Sequence, residues 1–101
     1  MVNIRRSEYE RLRQALREIR EERRLSQFDV AHRLEHRIKQ EQISRYERGE
    51  RRLDVVELLD ICRALEVWLG EVLDRANLDW RQGGPEGKPG YEATPRHKPR
   101  R

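Results

Sequence analysis

Between Lys39 and Arg48 the segment KQEQISRYER sets Gln40, Glu41, Ser44, Arg45 and Arg48 at i, i+1, i+4, i+5 and i+8. On a helix that spacing makes a single stripe, with Ile43 and Tyr46 three apart on the other side. The stripe holds a long amide, a carboxylate, a hydroxyl and two guanidiniums. Such groups read base edges in a DNA major groove: Gln suits adenine, Arg suits guanine, and a carboxylate accepts from the cytosine amino group. The plainer reading is an exposed helix surface, where Glu41 and Arg45 form an i,i+4 pair contributing about 0.3 kcal/mol.

Other chemistries find less support. The three serines are Ser7, Ser26 and Ser44, two of them expected as helix caps, and there is no Gly-rich phosphate loop. The chain is therefore read as a non-enzyme with no cofactor. His32 and His36 have a metal-compatible spacing, yet no thiolate or third His converges on them, so no metal site is expected. The lone Cys62 excludes an internal disulfide and a Cys-based zinc cage, fits a reducing compartment, and reads as a buried structural thiol.

The elements that must position the stripe are helices. No Pro precedes residue 85, and nowhere does apolar character alternate as in a strand. Ser7 reads as an N-cap, followed by Tyr9, Leu12, Leu16 and Ile19 at helical spacing up to about Arg24. Ser26 with Asp29 opens a second helix, about 26–35, whose inner face is Val30, Ala31 and Leu34. The third, about 39–48, carries the stripe and stops at Gly49. Asp54 with Glu57 opens a fourth, with Val55, Leu58, Leu59, Cys62 and Leu65 on its core side. A fifth runs from about Leu69 to Ala76. The small Ala31 allows helices 2 and 3 to cross closely, as a helix-turn-helix requires. Trp68, Leu69, Val72 and Trp80 either finish the core or form a dimer surface.

All four Pro and four of the six Gly lie after Trp80. The expected organisation is one compact all-α domain over residues 1–80 and a basic, disordered tail over 81–101. Charge is sorted along the chain: residues 5–52 carry a net +5, nearly all their cations being Arg, while 53–80 carry −5 and the tail +4. A basic Arg-rich half suits phosphate and base edges. No run approaches the roughly 20 apolar residues of a membrane span. The N-terminal segment MVNIRRSEYERLRQ lacks a secretory apolar region. A small, soluble cytoplasmic protein without membrane attachment is expected.

Three segments then carry a resemblance: Leu25-Ser26-Gln27 opening helix 2, Ile43-Ser44-Arg45-Tyr46-Glu47-Arg48-Gly49 closing helix 3, and Arg63-Ala64-Leu65 ending helix 4. Over about residues 12–74 the chain resembles the Cro/C1 (Xre-type) family of helix-turn-helix repressors. That resemblance implies a five-helix domain that binds operator DNA as a dimer, in a bacterial or phage setting, with helix 3 in the major groove. It implies that Gln27 anchors to a phosphate and supports helix 3, and that Gln40 and Glu41 enter the groove with Arg45 one turn on. Gln42 and Arg48 match backbone-contacting positions, and Arg20 and Glu47 match an ion pair between helices 1 and 3. Arg51 and the tail's PRHKPRR are added as phosphate contacts.

The sequence also departs from the family pattern. Glu35-His36-Arg37 stands where the family turn has Gly, and the turn is about two residues longer. Lys39 replaces the Ser/Thr cap of helix 3 and cannot accept a backbone hydrogen bond. Glu66 stands where Gly ends helix 4, and Phe28 replaces a polar exposed residue, covering the longer turn or facing a partner. The leading expectation is a sequence-specific transcriptional regulator, a repressor acting as a homodimer on double-stranded DNA. The alternatives are an antitoxin that neutralises a partner toxin through the tail while repressing its own promoter, and a protein-interaction module that no longer binds DNA.

Overall fold

The computed structural model describes residues 3–82. Five α-helices follow one another: α1 (Asn3–Glu22), α2 (Gln27–Arg33), α3 (Gln40–Glu47), α4 (Val55–Leu65) and α5 (Leu69–Arg75). A 3-10 turn over Trp80–Gln82 extends helical structure two residues past the boundary expected at Trp80, and the rest of the basic tail lies outside the described residues. Among the described residues there is no strand.

Local chemistry accounts for the helix starts. Ser26 Oγ accepts from the Asp29 amide at 2.9 Å, and Asp29 Oδ2 accepts from the Ser26 amide at 2.8 Å. Asp54 and Glu57 close the same reciprocal pair at the head of α4, at 2.8 and 3.1 Å. At the head of α3 only half of this device exists: Gln42 Oε1 accepts from the Lys39 amide at 2.8 Å, and the Lys39 ammonium has no lone pair to offer in return. Apolar residues flank each of these starts. Leu25 and Val30, Ile38 and Ile43, Leu53 and Leu58, and Val67 and Val72 hold the positions of a hydrophobic staple, all of them in or against the core.

The helix ends share one geometry. In each helix the amide two residues past the last turn reaches back five residues, as Leu25 to Arg20, His36 to Ala31, Glu50 to Arg45, Val67 to Cys62 and Leu78 to Leu73. The residue before each of these amides is left-handed: Arg24, Glu35, Gly49, Glu66 and Asn77. These are Schellman turns, and only one of the five uses Gly. At Gly49, with φ 82°, a Cβ would also lie 3.0 Å from the Arg13 guanidinium, which would have to shift.

The core is a single cluster. Leu16 and Ile19 of α1 meet Val30, Ala31 and Leu34 of α2, Ile43 and Tyr46 of α3, Ile61, Cys62 and Leu65 of α4, and Val72 of α5. α1 packs on α3 and α5, while α2 packs on α3 and α4. Ala31 is fully buried. The longer turn between α2 and α3 is anchored by Ile38, which is also buried. Glu35 and His36 are both left-handed, with φ 56° and 61°, so the extra length is taken up by a tight reversal.

Two expectations are corrected. Ser7 is not a cap: α1 starts at Asn3, and Ser7 Oγ accepts from Arg11 Nη1 at 2.9 Å within the helix. Val55 is not in the core. It is 69% exposed, and the buried face of α4 is Ile61, Cys62, Ala64 and Leu65. Of the aromatic group at the end of the domain, Val72 is buried and Leu69 packs on the core, whereas Trp68 and Trp80 are exposed.

Candidate nucleic-acid interface

α3 sits on the core through Ile43 and Tyr46 and turns its other side to solvent. Gln40, Glu41, Arg45 and Arg48 are exposed, and Ser44 is half-buried. Gln40, Glu41 and Arg45 project without a side-chain hydrogen bond or ion pair to any described residue. The i,i+4 pairing of Glu41 with Arg45 is therefore not made, and the amide, carboxylate and guanidinium are all available to a partner.

The helix is held by charge beneath this face. Arg20 donates from Nε and Nη2 to the two oxygens of Glu47 at 2.7 and 2.9 Å, and from Nη1 to the Leu25 carbonyl at 2.8 Å. Gln27 Nε2 donates to Glu47 Oε1 at 2.9 Å. The Arg20 and Glu47 side chains are only 12% and 8% exposed. The hydrogen bonds to Glu47 raise the Arg20 pKa against the opposing effect of burial. Glu47 thus accepts three hydrogen bonds that tie α1 and the start of α2 to the end of α3.

Other residues expected at a DNA backbone are engaged within the protein. Gln42 caps α3, as above. Arg48 pairs with Glu50 at 3.0 Å and donates to Ser44 Oγ. Arg51 pairs with Glu57 at 2.7 Å, fastening the α3–α4 loop to the capping residue of α4. Sequence reasoning missed two cations beside this loop: Arg52, whose guanidinium lies 4.7 Å from the centre of the Tyr9 ring, and Arg13 under Gly49. The helical spacing of Tyr9 and Arg13 on α1 was the available signal, and only its apolar half was used. Glu50 was missed as well: of the two acids in the run RYERGERR, only Glu47 had been given a partner.

Two further features lie away from α3. Phe28, 53% exposed, stacks on His32 with ring centres 6.0 Å apart, and His36 closes the group at 6.0 Å from His32. The three exposed rings thus run from α2 to the reversal that follows it. Between α4 and α5 runs a groove of about 490 Å³ lined by Leu59, Cys62, Arg63, Val67, Trp68 and Leu69. Burial pushes the Cys62 thiol up to about 11, so it is protonated and unreactive at neutral pH. The Tyr46 hydroxyl is buried with no hydrogen-bond partner, and burial raises its pKa.

A helix-turn-helix family model matches residues 16–72, more than half of the chain and the whole span from α1's core face to the middle of α5. Comparison with curated proteins and with solved structures found no match.

Proposed function

We propose that this chain, which belongs to the Cro/C1-type helix-turn-helix family, is a sequence-specific repressor that reads operator DNA in the major groove through α3. The observation that carries this reading is the contrast within one helix. Gln40, Glu41 and Arg45 are exposed and have no side-chain partner among the described residues, while the helix bearing them is locked to α1 and α2 by Arg20, Gln27 and Glu47. A stiff helix with free donors and acceptors on its outer stripe suits base readout, because readout needs groups placed before the DNA arrives.

Gln40, Glu41 and Arg45 are assigned to base edges. Ser44, Gln42, Arg48, Arg51 and the amide of Gln27 are assigned to the backbone, together with the tail beyond the described residues. On binding, Arg48 and Arg51 offer a phosphate the N–H groups that their carboxylate partners leave free. The protein acts as a homodimer in the cytoplasm, with the α4–α5 groove and the exposed Trp68 offered to the second copy. It works by binding and not by catalysis.

Affinity selection of genomic fragments at about 0.15 M salt tests the reading, since purely non-specific binding is already weak there. Enrichment of an inverted repeat, with half-site centres about 10 bp apart, is the expected result. The affinity should fall with salt at about 0.9 log units per log unit for each phosphate neutralised. Folded protein that enriches no sequence contradicts the reading and turns the exposed Phe28, His32 and His36 group into the first place to seek a protein partner.

A further inference from the structure

The Schellman turn on Gly49 brings Glu50 back beside the last turn of α3, where its amide donates to the Arg45 carbonyl at 2.8 Å. Its carboxylate takes two arms of the Arg48 guanidinium, Nε at 3.2 Å and Nη2 at 3.0 Å, while Nη1 of the same group donates to Ser44 Oγ. Each nitrogen of the Arg48 guanidinium therefore has a partner within the protein, with a second N–H left over on Nη1 and on Nη2. The hydrogen bond from Arg48, with the charge of Arg48 and then of Arg45, holds the Glu50 carboxyl below the ordinary carboxylate range. Glu50 is a full negative charge at the end of a stripe that otherwise ends in guanidiniums.

This carboxylate does little for the fold. The turn is made by the Glu50 backbone, and both side chains of the pair are more than half exposed, where an ion pair contributes little. Its consequence lies with the partner. We propose that Glu50 is a specificity-determining residue of the DNA interface, holding Arg48 off the phosphates so that duplexes not matched to α3 are bound weakly. The proposal rests on the role of α3 given above.

A phosphate oxygen and the Glu50 carboxylate offer the guanidinium the same kind of charge-assisted acceptor, so moving Arg48 from one to the other is nearly balanced. The carboxylate left behind then faces phosphates and is repelled. On a matched duplex, base contacts by Gln40, Glu41 and Arg45 set a register in which a phosphate meets the second N–H of Nη1 or Nη2 while Glu50 keeps its hold, so the carboxylate stays neutralised. On an unmatched duplex no contact sets that register, and Arg48 reaches a phosphate only by leaving the carboxylate bare. Specificity is a difference of affinities, and a repulsive group raises it by penalising the wrong partner.

The test compares wild type with Glu50→Gln, Glu50→Asp and Glu71→Gln on two probes: a random-sequence duplex of roughly 20 bp and the duplex recovered by affinity selection. Glu71 is exposed on α5, which packs on α1, and controls for loss of one negative charge anywhere on the protein. Glu50→Gln should tighten binding of the random duplex on the order of tenfold and steepen its salt slope by about 0.9, one more phosphate neutralised. The selected duplex should gain no more than about threefold, so the specificity ratio falls. Glu50→Asp should keep wild-type discrimination, Glu71→Gln should change neither probe by more than about twofold, and Glu50→Gln in an Arg48→Ala background, where the carboxylate is already bare, should tighten both probes equally. Equal gains on both probes, or weaker binding, from Glu50→Gln alone overturn the proposal while leaving α3 as the reading helix. Wild type that binds neither probe at low salt overturns it together with that role.

Discussion

Glu47→Ala is the substitution whose cost the structure defines best. The carboxylate it removes accepts three hydrogen bonds, from Arg20 Nε at 2.7 Å, Arg20 Nη2 at 2.9 Å and Gln27 Nε2 at 2.9 Å. The guanidinium left behind is 12% exposed and retains the Leu25 carbonyl and, at 4.0 Å, the half-exposed Glu21 carboxylate. Breaking a buried pair from one side costs about 3–5 kcal/mol, because the remaining charge is neither hydrated nor paired. Partial rehydration of Arg20 places this case near the lower end, about 3 kcal/mol. In a domain of this size that lowers the thermal midpoint by roughly 15 °C, read by far-UV circular dichroism. Arg20→Met combined with Glu47→Leu removes both charges, and the double variant should recover most of the loss. A loss below about 1 kcal/mol for Glu47→Ala, the level of an exposed pair, would refute the argument that this network locks α3. So would a double variant as unstable as the sum of its parts.

Glu66→Gly should stabilise the domain by about 1 kcal/mol, since Glu66 ends α4 at φ 58° where a Cβ is unfavourable; an unchanged thermal midpoint would show that the turn carries no such strain. Tyr46→Phe removes a buried hydroxyl that has no partner, and a gain of about 1 kcal/mol in urea unfolding is expected, whereas destabilisation would reveal a bound water holding that group. Acid should unfold the protein progressively. The Ser26 amide lowers the pKa of Asp29, Arg48 that of Glu50, and Trp80 that of Asp74, so the unfolded chain binds protons more readily than the folded one. The stability these groups contribute is complete above about pH 5 and is lost as pH falls through their folded values. Thermal midpoints measured against pH should show that fall, and Asp29→Asn should flatten it; a profile unchanged by that substitution removes the α2 capping box from the account.

Local signals carried much of this architecture. The capping pairs of α2 and α4 were legible because Ser26 with Asp29, and Asp54 with Glu57, need only three residues of chain to close. Val55 misled because periodicity reports which face of a helix is apolar and not how far along it a neighbour extends. Ser7 misled because Arg5 and Arg6 before it propagate a helix as readily as they precede one, and Arg11 supplied the hydroxyl with a partner inside α1. The extra residues before α3 were countable, yet nothing in Glu35-His36-Arg37 announces two left-handed residues in succession, or that Ile38 would plug the core behind them. In the candidate interface, the stripe of α3 was legible from spacing alone. Which of its members are free was not, because the partners of Arg48 and Arg51 come from the turn and the next helix.

The claim that α3 reads bases is tested most directly by measuring wild type and Arg45→Ala against the selected duplex and each of its single-base variants. Loss of about 1–3 kcal/mol on the selected duplex, with discrimination erased at one base pair of each half-site, is the result this account predicts. An equal loss across every variant would make Arg45 a phosphate contact and contradict it.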